Sequence, residues 1–201
     1  MSVLLSNNLL VATLLPLLGA PLVGWLSRQG RAYSAWAAAG VVLLTLGCLS
    51  PELAAPFAGH AVIQQIAWMP AAGLNLAFRF DGLALLFALL ILGIGLLVIL
   101  YAHYYLSSKD SLGRLYAYLL LFMGSMLGVV LSENLIQLLI FWEMTSLASF
   151  LLISYWRNRQ EARRGARMAL TVTGAGGLAL LGGIILIGQM VGSYDLSVVL
   201  R

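Results

Sequence analysis

Six runs of about twenty apolar residues, divided by short polar or basic connections, constrain this chain more than any other feature. Each run can cross a hydrocarbon core of about 30 Å. Backbone in hydrocarbon must satisfy its own polar groups, so each run is predicted to be a helix. The runs lie near 9–26, 32–49, 82–105, 115–131, 135–156 and 168–194. The fourth is short, and the sixth is long enough to tilt, break or leave the membrane. With 62% hydrophobic and 9% charged residues, the chain has too little charge to cover a water-soluble globule. The predicted fold class is all-α integral membrane, with six transmembrane helices. The first run is not read as a cleaved signal peptide, because no basic residue precedes it and Pro16 and Pro21 interrupt it. Cys48, the single cysteine, sits in an apolar run and is expected to be a buried packing thiol.

The connections after runs one, three and five carry Arg28 and Arg31, then Lys109 and Arg114, then Arg157, Arg159, Arg163, Arg164 and Arg167. Those after runs two and four carry only Arg79. By the positive-inside rule the first group faces the cytoplasm, and the N-terminus lies outside. The net charge of +4 therefore reports topology rather than a nucleic-acid partner. The basic run 157–167 is expected to anchor against anionic lipid, or to dock a partner. The connection 50–81 is the only long one. In it Leu74, Leu76, Phe78 and Phe80 alternate with Asn75, Ala77 and Arg79, a strand period. Residues 62–69 are expected to pair with it across Pro70-Ala71-Ala72-Gly73 as an extracytoplasmic β-hairpin, with an amphipathic interfacial segment as the alternative. Asp81 then caps the third helix. Gly124 and Gly128, and Gly188 and Gly192, have the spacing of close helix contacts, and Gly174-Ala175-Gly176-Gly177 is expected to allow a kink or unwinding.

Glu143 is the one charge in the otherwise uncharged stretch 134–156. An acid at the centre of a spanning helix costs roughly 2.5–3.5 kcal/mol, so an ion pathway or a binding role is the first reading. It lies about 13 Å in from the outer end of its run at 1.5 Å per residue. Leu139, Ile140, Phe141, Trp142 and Leu147 desolvate it. Ser146 shares its helical face, Ser149 lies close around the helix and Thr145 flanks it, so a polar stripe able to hold water runs past the acid. Such a carboxylate is suited to taking up and releasing a proton; the plain alternative is a permanent interhelical tie to a base. His103, beside Tyr104 and Tyr105, is either a proton relay near the inner surface or an interfacial aromatic-belt residue. Glu133 is read as capping the fifth helix, and His60 as a solvated loop residue. Lys109 is the only lysine and lies in a connection, so the cation answering Glu143 is an arginine near Arg167, or lies past Arg201 or on another polypeptide of an assembly. There is no phosphate loop, haem-type histidine pair, cysteine cluster or serine-nucleophile motif, so no cofactor and no metal are expected.

Phe80-Asp81-Gly82-Leu83-Ala84, Tyr101-Ala102-His103-Tyr104-Tyr105-Leu106, Leu131-Ser132-Glu133-Asn134-Leu135 and Phe141-Trp142-Glu143-Met144-Thr145-Ser146-Leu147 resemble the antiporter-like family. That family holds the large subunits of multisubunit Mrp-type cation/proton antiporters and the proton-pumping membrane subunits of respiratory complex I. The resemblance makes Glu143 the fifth-helix proton-transfer glutamate, paired with a lysine on a seventh helix past Arg201. It implies other antiporter subunits as partners, in a bacterial plasma membrane. The complex I branch carries arginine and aspartate where this chain has Gly174 and Gly177, a departure that favours the A-type large subunit of the antiporter branch. The chain then divides into 1–80, two helices and the long loop; 81–112, the third helix and an inner loop; and 113–201, three helices of a five-helix repeat that family members continue. The expected function is Na⁺, or another monovalent cation, exchanged for protons. A purely structural membrane scaffold and a redox-driven pump subunit are the alternatives.

Overall fold

The computed structural model describes residues 7–69, 74–107 and 110–200. The apolar runs form α1 (Asn8–Leu26), α2 (Arg31–Leu49), α3 (Gly82–Tyr105), α4 (Leu112–Leu131), α5 (Leu135–Ile153) and α6 (Gln160–Val191). All six are long and apolar enough to cross a membrane, as expected from their hydropathy. The largest departure is α6, whose 32 residues span about 48 Å, well beyond the hydrocarbon core. It begins at Gln160, so Arg163, Arg164 and Arg167 lie on its first turns and not in a connection. Glu161 in the first turn suits the positive end of the helix dipole there. The glycines at 174–177 neither break nor unwind α6, which runs on as one helix. Apolar surroundings offer freed backbone groups no other partners. α6 stops at Gly192, whose φ of +76° is the left-handed conformation that terminates helices.

α4 is the hub of the bundle: α1, α2, α3 and α5 all pack on it, while α6 packs on α5. Its inward face buries Tyr116, Leu120, Met123, Leu127 and Leu131. The Tyr116 hydroxyl donates to the Ile99 carbonyl (3.1 Å), so the one polar atom on that side chain is satisfied. Gly124 lies against Leu17 of α1, and Gly128 against the Phe141 ring of α5. The first glycine pair thus admits two different helices, as its spacing predicts. The second pair does not act as a pair, because Gly192 is the cap that ends α6. Cys48 is half-buried against the edge of the core, less enclosed than expected.

Between α2 and α3 the alternation is realised as an antiparallel hairpin of β1 (Val62–Met69) and β2 (Leu74–Phe80). Val62 faces Phe80 and Gln64 faces Phe78. The intervening turn, 70–73, lies outside the described residues. Phe78 and Phe80 are fully buried, so one face of β2 packs into the bundle. Asp81 caps α3 as expected, its carboxylate accepting from the Ala84 N–H at 3.0 Å. The hairpin is fastened at both sides: Gln64 Oε1 accepts from the Leu9 N–H (3.0 Å), and Gln137 Oε1 accepts from the Ala77 N–H (2.9 Å).

Candidate functional site

The structure places Glu143 midway along the 19-residue α5, at the seam with α6. α6 turns few residues inward, and its buried positions are Ala166, Gly177, Ile184 and Gly188. Their spacings are close to whole numbers of helical turns, so they share one face of α6, on which Gly177 meets Glu143 of α5 and Gly188 meets the Tyr194 ring. Glu143 Oε1 is buried, has no hydrogen-bond partner among the described residues, and lies so close to Gly177 that a Cβ there would overlap it. Only the bare α6 backbone leaves room for the carboxylate at this level. A buried carboxylate oxygen without a donor is costly, so this arrangement suits a group that changes its charge or its partner.

Of the residues expected to form a polar stripe past Glu143, Thr145 and Ser146 turn their hydroxyls to the helix. Thr145 Oγ1 donates to the Trp142 carbonyl at 2.6 Å, and Ser146 Oγ contacts the same oxygen at 3.5 Å. Ser146 is buried and Ser149 half-buried on α5. Among the described residues Glu143 takes part in no ion pair. Arg167 lies about 15 Å along α6 from Gly177, which explains why the arginines at the start of α6 do not answer the acid. Lys109 lies outside the described residues.

His103 is not brought to Glu143. It sits near the end of α3, which packs on α2 and α4, whereas the acid lies at the α5–α6 seam. Its Nδ1 is buried without a partner, and its ring meets Tyr104 edge-on, with centroids 5.1 Å apart. Arg31 ties this end together, its guanidinium donating to the carbonyl of Leu106 at 2.8 Å.

Glu133 departs from its expected role. Asn134 caps α5, its side-chain oxygen accepting from the Ile136 and Gln137 N–H groups. Glu133 is instead wholly buried where three segments meet. Its N–H donates to the Ala77 carbonyl (2.9 Å) and its carbonyl accepts from the Leu196 N–H (2.8 Å). Its Oε1 accepts from the Ser197 N–H (2.9 Å), while Oε2 faces Arg79 Nη1 at 3.8 Å. Beside it Asn134 Nδ2 donates to Asp195 Oδ1 at 2.8 Å. The tie thus joins the hairpin, the α4–α5 turn and the segment after α6. Sequence spacing carries no sign of it, since its partners lie more than fifty positions away. Gly177 was not read as a site residue; its place in the glycine run and its contrast with the complex I branch were what marked it.

Two family models match the chain. One, described as NADH-Ubiquinone oxidoreductase (complex I), chain 5 N-terminus, covers residues 68–116. The other, NADH:quinone oxidoreductase/Mrp antiporter, TM, covers residues 132–201 and so includes Glu143 and Gly177. A probable K⁺/H⁺ antiporter A/B subunit of Rhizobium meliloti is 48% identical over 94% of this chain and 19% of its own length. The Na⁺/H⁺ antiporter A1 subunit of Staphylococcus aureus is 45% identical over 95% of this chain and 24% of its own. Among solved structures, the Mrp complex from Dietzia sp. contains a chain that superposes with a TM-score of 0.83 at 32% identity, over 94% of this chain and 20% of that one. This chain therefore spans about a fifth to a quarter of the length of the relatives it matches.

Proposed function

We propose that this chain, whose residues 132–201 match the NADH:quinone oxidoreductase/Mrp antiporter model, has a part in a secondary antiporter that exchanges Na⁺, or another monovalent cation, for protons. It acts within a hetero-oligomeric complex in a bacterial plasma membrane, with its N-terminus outside and its arginine-rich end in the cytoplasm. The single observation that carries this reading is Glu143, a mid-span acid with one carboxylate oxygen buried and unpartnered at a helix seam.

In this mechanism Glu143 takes up a proton, which removes the cost of its charge, and releases it when a cation or a donor arrives. The stripe of Thr145, Ser146 and Ser149 borders its route. Reorienting the Thr145 and Ser146 hydroxyls from the Trp142 carbonyl toward water supplies donors along α5. His103, whose free Nδ1 lies near the basic end, passes protons on the cytoplasmic side. The chain divides functionally at 80 and 112, so that 113–201 holds Glu143 and its polar stripe while 81–112 holds His103. Glu143→Gln in the full antiporter complex keeps the shape of the acid and removes its titration. We expect normal assembly and loss of cation-driven proton movement in everted vesicles. Exchange at the original rate would overturn the assignment.

A second reading, a proton-pumping subunit of an NADH:quinone oxidoreductase, draws on the complex I description of the model over 68–116. The glycines at 174 and 177, where the resemblance to that branch implies a charged pair, weigh against it. Acidification driven by NADH in vesicles carrying the complex would favour it over antiport.

A further inference from the structure

We infer that Gly177 is a positioning residue for Glu143: its missing side chain forms the slot in α6 against which the carboxylate rests. The inference builds on the transport reading of Glu143 and adds to it a second residue and a distinct measurement. The slot is local. A Cβ at Gly177 would overlap Glu143 Oε1 and crowd its carboxyl carbon, whereas Cβ atoms at Gly174 and Gly176 would meet nothing within 4 Å. Of these three neighbouring glycines only Gly177 is buried, and only Gly177 touches the acid. Helix packing alone does not explain Gly177, since the atom filling the space is a charged group and not an apolar knob. Among the described residues Oε1 has no donor in this position, so the slot holds the acid by shape: it encloses Oε1 and defines where the carboxylate stands before it swings to a partner.

Gly177→Ala fills the slot with one methyl group and strengthens α6 as a helix, so lost activity would not arise from melting it. In the full complex, misplacing a reacting group by about an ångström costs on the order of a hundredfold in rate. We therefore expect Gly177→Ala to lower exchange by about ten- to a hundredfold and to displace the midpoint of its pH profile, with the complex still assembled. Gly174→Ala and Gly176→Ala should behave as the parent. Adding Glu143→Asp to Gly177→Ala shortens the acid by one methylene and should recover part of the exchange lost. Infrared difference spectra should place the carboxyl band of Glu143 at a different frequency in Gly177→Ala, a readout independent of turnover. Parental rate and pH profile in Gly177→Ala, or equal losses at all three glycines, would overturn the slot. Loss in Glu143→Gln beside parental behaviour in Gly177→Ala would sink the slot alone, whereas exchange surviving Glu143→Gln would sink the reading beneath it.

Discussion

Glu133 is wholly buried and Glu143 half-buried, and their carboxylates have different surroundings. Glu133 accepts a backbone N–H at 2.9 Å through Oε1, and its Oε2, without a hydrogen bond among the described residues, has Arg79 at 3.8 Å. Glu143 Oε1 has neither a hydrogen-bond partner nor an ion pair among the described residues. The first arrangement suits a structural tie, and the second is what the proposed transport role of Glu143 builds on. Glu133→Ala strands the Ser197 N–H and loosens the hairpin, and should cost about 1–3 kcal/mol. Glu133→Gln keeps an acceptor for that N–H and should cost less. Thermal unfolding of the purified complex in detergent checks the order; equal loss in both variants would mean that the charge, and not the acceptor, matters. Glu143 was legible from the chain because a lone charge in an apolar run has few explanations. The burial of Glu133 was not, since an acid next to an asparagine at the head of a helix reads as a cap.

At the scale of elements, caps and periods were the reliable signals. Asp81 before an apolar run and the alternation over 74–80 both describe local backbone states, and both are realised. The Asp81 carboxyl is held below the ordinary aspartate value, first by the Ala84 N–H it accepts and then, against a smaller effect of burial, by the Arg79 guanidinium. A lowered folded-state value means that the cap contributes fully above the unfolded aspartate value of about 3.9, and its contribution is lost as pH falls through the lower folded one. Asp81→Ala should therefore loosen the first turn of α3 by about 1 kcal/mol at neutral pH. Acidification should loosen the parent and leave the variant unchanged. Hydrogen exchange at the Ala84 and Leu85 amides reads both effects, and a variant that still responds to acid would assign the effect to another group. The start of α6 was less legible, because hydropathy marks where a helix enters the membrane and not where its hydrogen bonding begins. Arginine is a good helix former, so α6 continues eight residues past the apolar boundary.

For the whole molecule, the two ends of the bundle differ in kind. One gathers Arg31, Arg157 and Arg159, the last stacked over Trp156 at 5.0 Å, and the other gathers the hairpin, Glu133 and Asp195. A reporter fused after Arg159 should be cytoplasmic, and a tag inserted between Met69 and Leu74 should be accessible from outside; the reverse pattern would invert the proposed orientation. The number of spans, their approximate places and the membrane itself were decided by the chain alone, because burying twenty apolar residues in lipid requires no knowledge of any neighbour. So was the singular position of Glu143. What α5 turns toward α6, which of several glycines lies under the acid, and the joining of three distant segments at Glu133 were decided only by tertiary structure. Those are contacts between surfaces of similar polarity, where hydropathy is uniform and only shape and the geometry of hydrogen bonds discriminate.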